Sequence, residues 1–181
     1  MKGLYWTLGP LRFALLFLGV GGVVVGYVVT EDWYFLSHRL PMARAARNAG
    51  FEVHVATRVA GRAAEIEAEG FTLHPVPFTR GRMSPLGSIA TIRALRQVYR
   101  KVRPTVAHHV ALQAAVLGSL AAIGRQVACV NALTGLGYTF TSGNTRAKLL
   151  RPFVSLLLRL LFNRRNQVVL VQNPDDRAGM E

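Results

Sequence analysis

The residues best equipped for chemistry follow a β-branched run. Val23 to Val29 is apolar, and Thr30-Glu31-Asp32-Trp33-Tyr34-Phe35 comes directly after it, as a loop at the end of a strand. Two carboxylates beside three aromatic rings suit a hydroxyl-rich ligand. Carboxylates accept hydrogen bonds from hydroxyls, and ring faces cover the apolar faces of sugars. Glu31 or Asp32 could also take a proton from an attacking hydroxyl as a general base, and Trp33 and Tyr34 could grip the ligand. The bland alternative is a set of aromatics that cover a sheet edge. His38 and Arg39 follow at the start of a helix, where the helix dipole favours anions over cations. An anionic partner would compensate Arg39; a solvated surface arginine is the competing reading.

Two further groups carry polar or permissive residues. His108-His109 closes a later apolar run. Adjacent strand residues point to opposite faces, so this pair cannot readily share one metal ion. One ring is expected in the core or against a helix, and the other at a cleft. Thr134-Gly135-Leu136-Gly137 opens a loop after the next apolar run. It lacks both the third glycine of a dinucleotide fingerprint and the Gly-Lys-Ser/Thr of a phosphate loop. Its glycines still permit positive backbone angles and a close ligand.

The elements that must position these residues alternate along the chain. Strands are expected at Val23–Val29, Phe51–Ala56, Phe71–Val76, Thr105–Val110, Val127–Leu133 and Val168–Val171. Helices are expected between them, at Ser37–Asn48, Ala63–Glu69, Ser88–Val102, Ala111–Ile123 and about Thr145–Asn163. Ser37 offers an N-cap and Gly50 a stop. In Ser88–Val102, Ile92, Leu95, Tyr99 and Val102 form one stripe and Arg93, Arg96, Arg100 and Arg103 the other. Strand and helix alternation with short connections predicts an α/β fold: a doubly wound, Rossmann-like parallel sheet covered on both faces. The helix at 145–163 has an apolar body with cationic edges, which suits either a lipid surface or a core with a solvated basic face.

Composition narrows the field. The chain has 181 residues, 51% of them hydrophobic and 17% charged, which excludes disorder and suffices for one cored domain. A formal charge of +13 favours anionic partners: nucleic acid, anionic lipid or phosphorylated substrates. Nucleic acid ranks last, because no aromatic–basic interleaving or recognition helix occurs. Cys129 is the only cysteine, so no internal disulfide forms, which fits a reducing compartment. Residues 1–22 form an apolar extension. Lys2 and Arg12 precede an uncharged stretch from Phe13 to Val29, about the length of a short membrane span. The preferred division leaves 1–22 as an extension and gives Val23–Val29 to the sheet.

Four segments together resemble the amino-terminal domain of GT-B glycosyltransferases of family 4. They are Val28 to Arg39, Ala49 to Thr57, Asn131 to Thr141, and Gln172-Asn173-Pro174-Asp175-Asp176. The subgroup resembled builds bacterial surface polysaccharides on polyprenyl-diphosphate carriers. The resemblance implies that residues 23–176 are a Rossmann-like acceptor domain and that 177–181 begin a carboxy-terminal domain which this chain lacks. It implies a nucleotide-sugar donor as co-substrate, no metal or other cofactor, a lipid-linked saccharide acceptor, and no nucleic acid. It also implies a peripheral position on the anionic inner face of the membrane, on the cytoplasmic side. On it Glu31, Asp32 and His109 become catalytic candidates. Trp33, Tyr34, His38, Arg39, Thr134, Gly135, Leu136 and Gly137 become substrate-binding candidates. Two departures stand out. Thr134 occupies the place where many members carry a histidine, and Thr105 replaces an aspartate. The donor-holding residues would lie in the absent domain or a partner subunit. The alternative is a non-catalytic, membrane-associated half-protein that binds glycolipid or joins another subunit.

Overall fold

The alternating pattern folds as read over the described residues; most of the helix expected at Thr145–Asn163 lies outside them. The computed structural model describes residues 23–80, 84–133, 156 and 158–171. Its strands are β1 (Val24–Glu31), β2 (Glu52–Arg58), β3 (Thr72–Pro75), β4 (Val106–Val110), β5 (Ala128–Leu133) and β6 (Gln167–Val171). Its helices are α1 (Asp32–His38), α2 (Leu40–Asn48), α3 (Ala63–Ala68), α4 (Pro85–Val102) and α5 (Leu112–Ala121). Residues 158–162 are also helical. Every strand pairing is parallel, in the order β3-β2-β1-β4-β5-β6. Winding reverses between β1 and β4, as in the doubly wound order of dinucleotide-binding folds.

β1 is the central strand. Val25 sits between Val53 of β2 and Val106 of β4. A strand paired on both edges and covered on both faces must be apolar throughout, which explains its β-branched run. Val24–Val29 therefore belongs to the sheet. Residues 1–22 lie outside the described residues, and no described helix is long and apolar enough to cross a membrane.

Each face of the sheet has its own core. Tyr27, Val29, Phe35, Val55, Ile66 and Val110 pack beneath α1, α2 and α3. Val28, Ala107, Leu95, Tyr99, Leu117 and Cys129 pack beneath α4 and α5. Leu158, Leu161 and Phe162 close a smaller cluster against Ala115 and Leu133. Fully burying one such aliphatic or aromatic side chain contributes about 1.5–3 kcal/mol.

Three local expectations change. Glu31 ends β1 and Asp32 begins α1 at once, so the expected loop from Thr30 to Phe35 is a strand end joined to a helix. Ser37 is not an N-cap: its hydroxyl donates back to the Trp33 carbonyl at 2.7 Å, inside α1. The helix breaks at Arg39, which donates to Phe35 O and accepts from Ala43 N, and Pro41 follows where a helix tolerates its missing N–H. His54, which alternates along β2 with the apolar Val53 and Val55, is nevertheless buried. Its Nδ1 lies 2.8 Å from His74 Nε2 and its Nε2 lies 2.8 Å from Glu52 Oε1.

The right half of the sheet is held by a buried polar chain. The Tyr99 hydroxyl donates to His109 Nε2 at 2.7 Å, and His109 Nδ1–H donates to Asn131 Oδ1 at 2.7 Å. Asn131 Nδ2 donates to Gln167 Oε1 at 2.7 Å, and Ser119 donates to Asn131 Oδ1 at 3.2 Å. The chain links α4, β4, α5, β5 and β6. Gly118 lets α5 approach it: a Cβ there would lie 2.6 Å from His109 Nε2.

Candidate functional site

The reversal between β1 and β4 brings their carboxyl ends to one edge, where ligands of such sheets sit. Register places Glu31, the last residue of β1, beside Arg58, the last of β2. Arg58 Nη2 donates to Glu31 Oε2 at 2.5 Å. Arg80, from the segment after β3, places Nε 3.7 Å from Glu31 Oε1. The Glu31 side chain is nearly buried at 12% exposure, whereas that of Arg80 is 73% exposed. Both carboxylate oxygens thus face guanidinium groups. In this geometry Glu31 organises two arginines and does not stand free to take a proton from a sugar hydroxyl. The arginines, with Arg80 outermost, present positive charge to the edge.

Asp32 turns inward. Its Oδ2 accepts from Ala60 N at 2.6 Å and Arg62 N at 3.0 Å, and its Oδ1 accepts from Trp33 N at 2.7 Å. Burial alone would raise its pKa. The three backbone donors and the Arg58 charge outweigh it, and the carboxyl is held below the usual range. Asp32 therefore pins the β2–α3 connection to the start of α1. It is 1% exposed and cannot reach a substrate as placed, so the expected base role gives way to a positioning one.

The aromatic set divides. Phe35 is fully buried in the core, and Trp33 is 42% exposed. Tyr34 stacks on His38 with centroids 4.2 Å apart, and Trp33 meets Tyr34 edge-on at 5.6 Å. His38 Nδ1 lies 2.8 Å from the Ser37 hydroxyl. Trp33, Tyr34 and His38 thus form one semi-exposed shelf on α1. Arg39 is half-buried with its Nε unpartnered, so it is not the solvated surface arginine of the bland reading.

Neither histidine of β4 reaches a cleft. His108 is buried beside Tyr27, and His109 is fully buried in the polar chain described above. Burial pushes each pKa down to about 4. The expectation that one of the pair faces a cleft is corrected, and with it the candidacy of His109 for catalysis: Tyr99 and Asn131 occupy both its nitrogens. Thr134, Gly135, Leu136 and Gly137 lie outside the described residues.

Three contributors to this edge escape sequence reasoning. Arg58 and Arg80 were not singled out, although Arg58 ends an apolar strand, a detectable signal. Ala111, which links β4 to α5, adopts φ 73 and ψ 159. That region is nearly exclusive to glycine and costs on the order of 1–3 kcal/mol. Nothing in an alanine advertises it. Ala111 is held because its N–H donates to Ala132 O at 3.0 Å and its carbonyl accepts from Ala115 N at 2.9 Å. It aims the first turn of α5 at the same edge. There Gln113 Nε2 lies 3.4 Å from both Thr79 O and Thr79 Oγ1, next to Arg80. Among the described residues no cluster of three or more metal-ligating side chains occurs.

The six-stranded parallel sheet order and its flanking helices define a Rossmann-like α/β domain of the kind found in GT-B glycosyltransferases. The chain belongs to the family described as Glycosyl transferase 4-like, whose model matches residues 25–173. No match was found among curated proteins. Solved structures of similar fold include MurG from Acinetobacter baumannii, at 13% identity and a TM-score of 0.56, covering 85% of this chain and 42% of that one. Sucrose-phosphate synthase from Thermosynechococcus elongatus has 12% identity and a TM-score of 0.61, covering 86% and 44%. UDP-GlcNAc 2-epimerase from Neisseria meningitidis, bound to UDP-GlcNAc, has 14% identity and a TM-score of 0.57, covering 87% and 43%. The chain thus spans less than half the length of these structures.

Proposed function

We propose that this domain is the acceptor-holding half of a glycosyltransferase that moves a sugar from a nucleotide-sugar to a polyprenyl-diphosphate-linked saccharide in bacterial surface-polysaccharide synthesis. The observation that carries the reading is the Glu31–Arg58–Arg80 group at the carboxyl edge of a family-matched sheet. In this reading Arg58 and Arg80 meet the acceptor diphosphate, as guanidinium groups bind phosphates in a two-pronged manner. The half-exposed Trp33 ring stacks on a sugar face. Thr134 to Gly137 line the junction with the donor, which a carboxy-terminal domain or partner subunit would hold. Arg39 on α1–α2 takes a supporting place near the acceptor.

Membrane docking on the cytoplasmic face is part of the same reading. No Asp or Glu occurs between residues 70 and 174. Within that acid-free stretch Leu86, Ile89, Leu156 and Leu160 are exposed. Apolar tips on a basic surface suit an anionic bilayer.

The test is binding of a short-chain prenyl-diphosphate saccharide to the chain, with Arg80→Gln and Trp33→Ala as variants. Each variant should weaken binding about tenfold or more, by the worth of one charge-assisted or stacking contact. Equal binding by both variants and the parent would refute the assignment. Sugar transfer from a UDP- or GDP-sugar should then require the carboxy-terminal half. Acceptor binding that never leads to transfer with that half present would favour the non-catalytic, glycolipid-binding alternative.

A further inference from the structure

The sheet has a second charged cleft at its opposite edge. It has a volume of about 480 Å³ and is lined by Tyr99, Arg103, Pro104, Arg125, Gln126 and Val127. These residues precede β4 and β5, so the cleft lies at the amino ends of the strands, away from Glu31 and Arg80. We propose that it binds a phosphoryl group carrying an organic substituent, gripped between Arg103 and Arg125.

Three observations converge on an anion. First, Arg125 is half-buried and its Nε is enclosed with no hydrogen-bond partner. Arg125 also lines the cleft, so an oxyanion there would meet a partly desolvated guanidinium, whose hydrogen bonds are charge-assisted. Second, Arg103 closes α4 in the left-handed conformation, with φ 50 and ψ 55. Helices favour glycine at such a stop, because a Cβ there is strained. The chain keeps an arginine there, at a residue that lines the cleft, and Pro104 follows it in the same wall. Strain of this sort concentrates at binding sites. Third, among the described residues no carboxylate pairs with Arg103 or Arg125. Arg44 and Arg47 pair with Glu69, Arg58 with Glu31, and Arg62 with Glu65, all on the other half of the sheet. Arg103 and Arg125 lie in the stretch without Asp or Glu.

The dimensions narrow the ligand. A volume of this size falls in the range of small-molecule sites and exceeds the needs of inorganic phosphate alone. Two guanidinium forks suit a phosphate oxyanion better than a single carboxylate. The Gln126 side chain offers both a donor and an acceptor for the substituent. A phosphorylated small molecule and a phospholipid headgroup share this chemistry.

The experiment is calorimetric titration of the full chain with glycerol 3-phosphate, in an Arg80→Gln background, which weakens phosphate binding at the other edge. Binding is expected at one site per chain. Arg125→Gln and Arg103→Gly should each weaken it about tenfold or more, and the exposed Arg93→Gln should not. Arg103→Gly should leave the melting temperature unchanged or raise it, because glycine relaxes the left-handed stop. Absence of binding, equal binding by the Arg103 and Arg125 variants, or weakening by Arg93→Gln to the same extent overturns the proposal. So does a fall in melting temperature with Arg103→Gly that accounts for its lost binding. Co-sedimentation with phosphatidylcholine vesicles, with and without phosphatidylglycerol, then separates the sources. If Arg125→Gln reduces retention on the anionic vesicles, the ligand is a lipid headgroup. If it reduces only glycerol 3-phosphate binding, the ligand is soluble. Both results sustain the pocket.

Discussion

Acidification should destabilise this domain well above the range in which carboxylates titrate. His108 and His109 sit side by side in β4, 7% and 0% exposed. Burial pushes each pKa down to about 4. The Arg39 and His109 charges push His108 further in that direction, while the Asn131 hydrogen bond opposes the shift of His109. In the unfolded chain both return to about 6.5. Below that value the unfolded chain takes up protons that the folded one refuses. Stability is therefore full above about pH 6.5, falls as pH drops, and levels off below about 4. At about 1.4 kcal/mol per pKa unit, one histidine is worth about 3 kcal/mol. The two are adjacent, and part of the His108 shift is the His109 charge itself, so the pair lies between about 3 and about 6 kcal/mol. His74, lowered by burial and by the nearby His54 and Lys101 charges, acts in the same direction. Against a typical domain stability of about 5–15 kcal/mol, such a loss is severe. Urea unfolding at constant ionic strength, from about pH 7 to about pH 4.5, measures it. A midpoint that stays flat over that range, or NMR titration of both rings near 6.5, would refute the buried placement of the pair.

Two substitutions probe the geometry of the core and the edge. Gly118→Ala should destabilise by about 1–3 kcal/mol, because the new methyl collides with the His109 ring and α5 must lift; thermal unfolding reads the loss. Ala111→Gly should stabilise by about 1 kcal/mol, since the relief of strain exceeds the entropic cost of glycine; a fall in the urea midpoint would show that the positive φ is not strained as described.

Much of the fold was legible because its signals are local. The β-branched run of β1, Gly50, Gly70 and Gly124 at turns with positive φ, and the apolar stripe of α4 each mark an element from its own residues. Ends were read less well. Asp32 was taken for a loop residue, since a strand that turns into a helix without a spacer shows no turn residues. The Trp33–Tyr34–His38 shelf was not legible as a group, because in the sequence the two rings read as part of a loop and His38 as part of the next helix, whereas one helix carries all three.

Composition and periodicity alone determined the parallel α/β architecture, the assignment of Val24–Val29 to a strand and the cationic character of the surface. Those properties depend on side-chain hydrophobicity and spacing within a segment, and both can be read along a line. Only the tertiary structure decided what the polar residues do. Glu31 faces Arg58 because β1 and β2 pair in one register, Asp32 meets the β2–α3 connection because that chain crosses above it, and His109 is sealed because Tyr99 and Asn131 converge on it from α4 and β5. Each fate is set by partners between 10 and 30 residues away.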